Sequence, residues 1–277
     1  MAKYYFNLPD KLTIDQQNAI DDPESISVYG GPGTGKTVVN LWRHIRNHEN
    51  GKNSLLLTYT KTLEHYLRGS ANEKNPQAAK NISRTYKWIY NNRRQNYREI
   101  IIDEAQDVHV DRYNVIQQHA KTMSYGADPD QSVYLNIEET KKVLAHLDAT
   151  FKTNRHTLYK NFRNSKDILL FTQSVFPEIC IEQETIEQAE SNTLPLVSIV
   201  GWDIDNCINK IVEIVNEYSS DTSNVGILLP TRKQVSKFFD LLKDKFECSK
   251  YASNNEEEDN DENEIFEEFK KHSYYHI

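Results

Sequence analysis

Residues 30–37 read Gly-Gly-Pro-Gly-Thr-Gly-Lys-Thr, between the apolar stretch Ile26–Tyr29 and an amphipathic run over residues 38–48. Few folds can use such an octapeptide. Its glycines let the backbone turn tightly and aim several N–H groups at one point, and a following helix adds its positive N-terminal end. The combination is an anion site between a strand and a helix. Gly31, Gly33, Thr34 and Gly35 are expected to cradle phosphates, Lys36 to reach the β- and γ-phosphates, and Thr37 to offer its hydroxyl to Mg²⁺. The expected ligand is a nucleoside triphosphate.

The rest of the chain agrees with a fold that places such a loop at the end of a strand. Strand-length apolar runs at residues 26–29, 54–59, 99–103 and 122–127 alternate with helical periodicity over 37–48, 61–68, 110–120 and 137–149. That alternation predicts βαβ units: an α/β fold with a parallel sheet covered by helices on both faces. A shorter series follows, with helices over 166–175, 205–218 and 232–243 and strands over 196–201 and 225–229. The expected division is therefore a nucleotide-binding domain over residues 1–152 and a second, partial domain over 153–277.

With 277 residues, 38% hydrophobic and 27% charged, the chain can bury a substantial core. Its net charge of −8 at first argues against a nucleic-acid partner. Nine acidic residues and no basic one lie between Glu256 and Glu268, however, and without them the remainder carries +1. The low-complexity segment 253–268 is expected to be a solvated loop. The near-neutral body keeps a basic strip of Arg84, Lys87, Arg93, Arg94 and Arg98, compatible with a phosphate backbone. No stretch approaches the ~18 apolar residues of a membrane span. The N-terminus lacks a secretion signal, and Cys180, Cys207 and Cys248 show no pairing or metal spacing. A cytoplasmic protein with reduced thiols and no membrane association is expected.

A second motif fits the first. Ile100-Ile-Ile-Asp-Glu-Ala-Gln-Asp107 is a buried strand ending in carboxylates. In a doubly wound sheet the carboxyl ends of strands open onto the ligand crevice. Asp103 would hold Mg²⁺, and Glu104 would polarise the water that attacks the γ-phosphate. Gly126-Ala-Asp-Pro-Asp-Gln-Ser-Val-Tyr134 follows another apolar strand and offers the Gln131 amide to the γ-phosphate. Leu158-Tyr-Lys-Asn-Phe-Arg-Asn-Ser165 offers Arg163 as an arginine approaching from the second domain.

Taken in order, these motifs resemble those of the UvrD/Rep-like group of superfamily 1 DNA helicases. Leu12-Thr-Ile-Asp-Gln-Gln-Asn-Ala19 resembles the family's adenine-reading motif, which implies that role for Gln16. Asn161-Phe-Arg-Asn-Ser165 implies Phe162 against the adenine and Arg163 on the γ-phosphate. Leu56-Leu-Thr-Tyr-Thr-Lys61 and Thr85-Tyr-Lys-Trp88 resemble segments that touch single-stranded DNA, which implies contacts from Tyr59, Thr60, Tyr86, Trp88 and, further on, Tyr134. The resemblance implies a RecA-like P-loop NTPase fold with a second, incomplete RecA-like lobe. It also implies ATP hydrolysis with Mg²⁺ and action on single-stranded DNA, or RNA.

Departures qualify that expectation. About ten residues separate Trp88 from the strand leading to Asp103, where the family inserts a subdomain. Valine stands at position 38, where an arginine is usual. Nothing before Ile277 resembles the family's last motifs. Unwinding by this chain alone is not expected, and a protein partner supplying those motifs is. The alternative is a nucleotide-dependent switch or interaction module.

Overall fold

The computed structural model describes residues 8–91, 95–128, 137–177, 179, 181–191, 195, 197, 203–220, 225–229, 231–248 and 250. The chain divides into two units, one spanning residues 5–195 and one from residue 196 onward that also takes in residues 1–4.

The first unit is built on a six-stranded parallel sheet: β1 (Ile26–Tyr29), β2 (Ser54–Thr58), β3 (Ile82–Arg84), β4 (Tyr97–Ile102), β5 (Ala120–Ala127) and β6 (Asn154–Thr157). Their order is β3-β2-β4-β5-β1-β6. Ile100, Ile101 and Ile102 are all fully buried, because successive side chains enter opposite faces and both faces are covered. Leu55, Leu57, Ile100, Ile102, Met123 and Tyr125 pack on one side with α5 (Thr85–Ile89), α6 (Val110–Gln117) and α7 (Ile137–Thr150). Leu56, Ile101 and Ile82 face the other side, with Ile26 and Val28. There they meet α1 (Ile14–Asp21), α2 (Lys36–Glu49), α3 (Lys61–Lys74) and α4 (Pro76–Lys80). This is the α/β sheet covered on both faces that the alternation predicts.

Two strands were not expected, and one of them moves a boundary. β6 is Asn-Arg-His-Thr, with no apolar residue, and pairs in parallel with β1 from Ile26↔Asn154 to Tyr29↔Thr157. An edge strand that pairs through its backbone, and whose side chains reach Asp22 and the Tyr29 ring through polar and charged groups, leaves no hydrophobic signature. The expected division at 152/153 consequently falls inside the first unit, which continues through α8 (Lys166–Val175) and α9 (Gln183–Gln188). β3 is three residues long, too short for alternation to be read. Among the described residues of the second unit are α10 (Ile204–Tyr218) and α11 (Arg232–Leu242). The strand expected over 225–229 is not one. Those residues form no ladder, and Leu228 is 97% exposed. Its expected neighbour at 196–201 lies outside the described residues apart from Val197, as does the acidic segment 253–268. No helix among the described residues is long and apolar enough to cross a membrane.

At the amino end of the sheet, a buried polar cluster ties five elements together. Arg43 on α2 donates from Nε to Glu99 Oε1 on β4 at 2.8 Å, and its other nitrogens donate to the carbonyls of Ala19, Asp22 and Glu24. Asn47 Nδ2 donates to Glu99 Oε2 at 2.6 Å. The Ser124 hydroxyl donates to Glu99 Oε1 and accepts from the Ile26 N–H at 2.9 Å.

His44, fully buried on the same helix, faces the Ala78 carbonyl through Nε2 at 2.9 Å and the Ser54 hydroxyl through Nδ1 at 2.8 Å. Burial pushes its pKa down to about 3, with His48 adding to the effect and the bond to Ala78 opposing it. The folded state therefore refuses a proton that the unfolded chain accepts below about pH 6.5. The stabilisation is complete above that pH and is lost as pH falls towards 3. Between pH 7.5 and 5, His44→Gln is expected to lose about 2 kcal/mol less unfolding free energy than wild type. Urea titrations at the two pH values measure this, and equal losses would remove His44 as the cause.

Candidate functional site: a phosphate loop facing a buried acidic cluster

The strand order places the chemistry. β5 lies between β4 and β1, with Ile102 in register with Tyr125 and Ala127 in register with Tyr29. The three carboxyl ends therefore stand side by side, delivering Asp103, Asp128 and the loop that begins at Gly30. β1 pairs with β5 and β6 and not with β2, so the loop opens at the point where strand order reverses, where open α/β sheets bind ligands.

The loop is held in one conformation. Gly33 has φ +78° and Gly35 φ +94°. A Cβ at Gly33 would sit 2.6 Å from Arg163 Cβ, and one at Gly35 2.5 Å from Gln16 Nε2. Thr34 closes the turn by donating its hydroxyl to the Gly31 carbonyl at 2.8 Å. α2 then starts at Lys36, presenting the free N–H groups of its first turn. Lys36 is buried, and its Nζ donates to Gly30 O at 2.7 Å, Gly31 O at 3.1 Å and Asp128 Oδ2 at 3.2 Å.

Facing the loop, Asp103 is 1% exposed. Thr37 Oγ1 donates to its Oδ2 at 2.9 Å, and Asn40 Nδ2 to its Oδ1 at 2.7 Å. Burial, reinforced by Glu104, pushes the Asp103 carboxyl up to about 7, against the pull of Asn40, Thr37 and Lys36. Asn40 has room because position 126 is glycine, where a Cβ would collide with its amide nitrogen. Its Oδ1 is buried without a hydrogen-bond partner. Glu104 has φ 54° and ψ 49°, the left-handed region, and is the only non-glycine residue at positive φ among those described. Gln106, fully buried, donates from Nε2 to Glu104 Oε2 at 2.7 Å and accepts the Asp128 N–H on Oε1 at 3.1 Å.

Of the residues singled out in the sequence, Lys36, Thr37, Asp103 and Glu104 converge here. Arg163 also arrives, but on the same unit as the phosphate loop: Phe162 N–H donates to Gly33 O at 2.9 Å and Asn161 Nδ2 to Pro32 O at 2.7 Å. The expectation of an arginine reaching in from a second domain is corrected, because β6 seats this segment beside β1. Phe162 is 58% exposed, with Lys160 Nζ 5.3 Å from its ring centre. Gln16 is buried with both amide ends engaged: Oε1 accepts the Thr13 N–H in a capping box, and Nε2 donates to Thr34 O at 3.1 Å. In this conformation it braces the loop. Gln131 and Tyr134 lie outside the described residues. Asn40 and Asp128 were missed. Asn40 lies one helical turn beyond Lys36 on the same face, and Asp128 directly follows a strand, so helix periodicity and the carboxyl-end rule could have found both.

The residues expected to meet bases separate into two groups. Tyr59 and Tyr86 are half-buried and meet edge to face at 5.7 Å, at the carboxyl ends of β2 and β3. Thr60 caps α3 by accepting the Leu63 N–H. Trp88 does not face a base. It is 5% exposed, in the core between Tyr97 and His119, because α5 turns that side of the helix onto the sheet. Beside the tyrosines, the buried Glu64 carboxylate gathers Arg68 at 3.1 Å, Arg84 at 3.4 Å and Lys87 at 3.6 Å. Among the described residues no cluster of three His, Cys, Asp or Glu side chains could hold a metal on its own.

Comparison with known proteins adds one assignment. The profile described as Schlafen group 3, DNA/RNA helicase domain, matches residues 23–197. No curated protein matches the chain. Among solved structures, the Candida albicans Pif1 helicase is 13% identical over 84% of this chain and 61% of its own, with a TM-score of 0.40. A Pif1 helicase structure concerned with unwinding at forked DNA is 14% identical over 59% and 48%, at 0.38. An arterivirus nonstructural protein 10 helicase with DNA is 16% identical over 61% and 44%, at 0.36. The chain thus spans less than half the length of the last two.

Proposed function

The chain belongs to the Schlafen group 3 DNA/RNA helicase domain family, and from that premise we propose that it binds and hydrolyses ATP with Mg²⁺ in response to single-stranded nucleic acid. The family assignment does not single out the UvrD/Rep-like group that the motifs resemble. The observation that carries the proposal is the junction of Thr37 and Asp103, 2.9 Å apart, in front of a glycine loop whose lysine stands at the first residue of a helix.

The donor set fits magnesium: one hydroxyl and one carboxylate, with substrate phosphates completing a shell of hard oxygen ligands. A buried carboxyl whose pKa is raised by desolvation gains most from a nearby cation, and Asp103 is in that position. When bound, the metal neutralises charge on the β- and γ-phosphates. Lys36 takes the remaining phosphate charge, Glu104 accepts the proton of the attacking water, and Arg163 stabilises the transferring group. Gln131 keeps its proposed role at the γ-phosphate, Gln16 reads the adenine only once its amide leaves Thr13 and Thr34, and Phe162 is the exposed ring against which a base can stack.

The nucleic-acid track we assign runs over Tyr59, Tyr86, Arg84, Lys87 and Arg68. Aromatic faces hold bases at about 1–3 kcal/mol each, and cations hold the backbone between them. Tyr134 belongs to the same proposal. The compartment we assign is the cytoplasm.

Turnover measured with and without oligo(dT) tests the reading, and stimulation of about tenfold or more is expected. Basal turnover indifferent to DNA and RNA oligonucleotides would favour a nucleotide-driven switch. Arg84→Ala/Lys87→Ala is expected to weaken oligonucleotide binding. Its slope of log K against log salt should shrink by about 1.4, since each neutralised phosphate contributes about 0.7 for single strands. An unchanged slope would move the track elsewhere.

A further inference from the structure

Resting on the ATP-binding reading above, we infer that Asp128 is a latch on Lys36, and that Gln106 ties this latch to the aim of Glu104. An ammonium has three N–H groups, and Lys36 uses them on two carbonyls of its own loop and on Asp128. The carbonyl contacts fold the side chain back along the loop. The third contact is an ion pair between side chains only 8% and 2% exposed. A phosphate oxygen that takes the charge of Lys36 competes with Asp128 for it. Losing that cation takes a countercharge 3.2 Å away from a buried carboxylate, which is costly. Part of the binding free energy of a triphosphate is therefore spent on opening this pair.

Asp128 is coupled to the residue proposed as the base. Its N–H donates to one end of the Gln106 amide, and the other end donates to Glu104. The amide is rigid and fully buried, so a shift of the backbone at Asp128 re-aims the carboxylate of Glu104. Glu104 occupies a backbone region costly to a side chain and persists there only because its surroundings hold it. Release of Lys36 is thus the event that turns Glu104 towards its water. Asp128 and Gln106 act through other groups and are positioning residues.

The test uses a fluorescent non-hydrolysable ATP analogue with Mg²⁺ and the full chain. Asp128→Asn keeps the shape and the N–H and removes the competing charge, so it is expected to bind the analogue about tenfold tighter than wild type. Asp128→Ser, which removes the same charge with a smaller side chain, must shift the affinity in the same direction. Equal or weaker binding by both overturns the latch. Gln106→Glu keeps an acceptor for the Asp128 N–H and loses the donor to Glu104. It is expected to lower kcat at least tenfold with KM within about twofold and with one analogue still bound per chain, a stoichiometry that a partly misfolded sample would not keep. Unchanged kcat overturns the coupling. Wild type that fails to bind the analogue sinks the ATP reading itself, whereas wild type that binds beside variants that bind no tighter sinks only the latch.

Discussion

Glu104→Gln is expected to reduce ATP turnover by about 10³-fold, some 4 kcal/mol of barrier, while nucleotide-analogue affinity stays within about twofold. The substitution is nearly isosteric, and a glutamine can present its carbonyl oxygen to Gln106 Nε2 as Glu104 Oε2 does at 2.7 Å. It can also occupy the same left-handed backbone position. What it cannot do is accept a proton from water. The phosphate loop, Lys36, Thr37 and Asp103 are untouched, so binding persists. Turnover within about threefold of wild type would remove Glu104 from the mechanism.

Glu99→Ala is expected to cost about 3–5 kcal/mol of folding stability, because removing one partner of a buried ion pair strands the other. Glu99 takes Arg43 Nε and the Ser124 hydroxyl on one oxygen and Asn47 Nδ2 on the other. Those partners lie on α2 and β5, and through the Arg43 contacts to residues 19, 22 and 24 the cluster also fixes the approach to β1. The variant leaves a buried guanidinium, amide and hydroxyl without their acceptor. Urea unfolding measures the loss as a lower midpoint at unchanged slope. Arg43→Ala/Glu99→Ala should lose less than the two single variants together, since the second removal no longer strands a charge. A loss below about 1 kcal/mol for Glu99→Ala would show the cluster to be dispensable.

The site was legible where local geometry and chemistry coincide. A glycine loop needs positive φ at two positions and a helix start directly behind it, and both requirements are written in consecutive residues. The strand ending in Asp103-Glu104 was legible because three β-branched residues buried on two faces leave few alternatives. Trp88 was misread because a large aromatic near a strand end has the same appearance in sequence whether it packs inward or faces a base. β6 was missed, and the unit boundary with it, because Asn154–Thr157 carries only polar side chains and pairs through its backbone.

The sequence by itself determined that this chain builds a parallel α/β sheet with a phosphate loop and an acidic strand end, because those features rest on short-range periodicity and backbone conformation. Only the tertiary structure decided which strand ends lie side by side. Strand order is set by pairing between segments as far apart as Ile26 and Asn154, and that pairing brings Asp128 onto Lys36, Gln106 between Asp128 and Glu104, and Asn161 onto the loop.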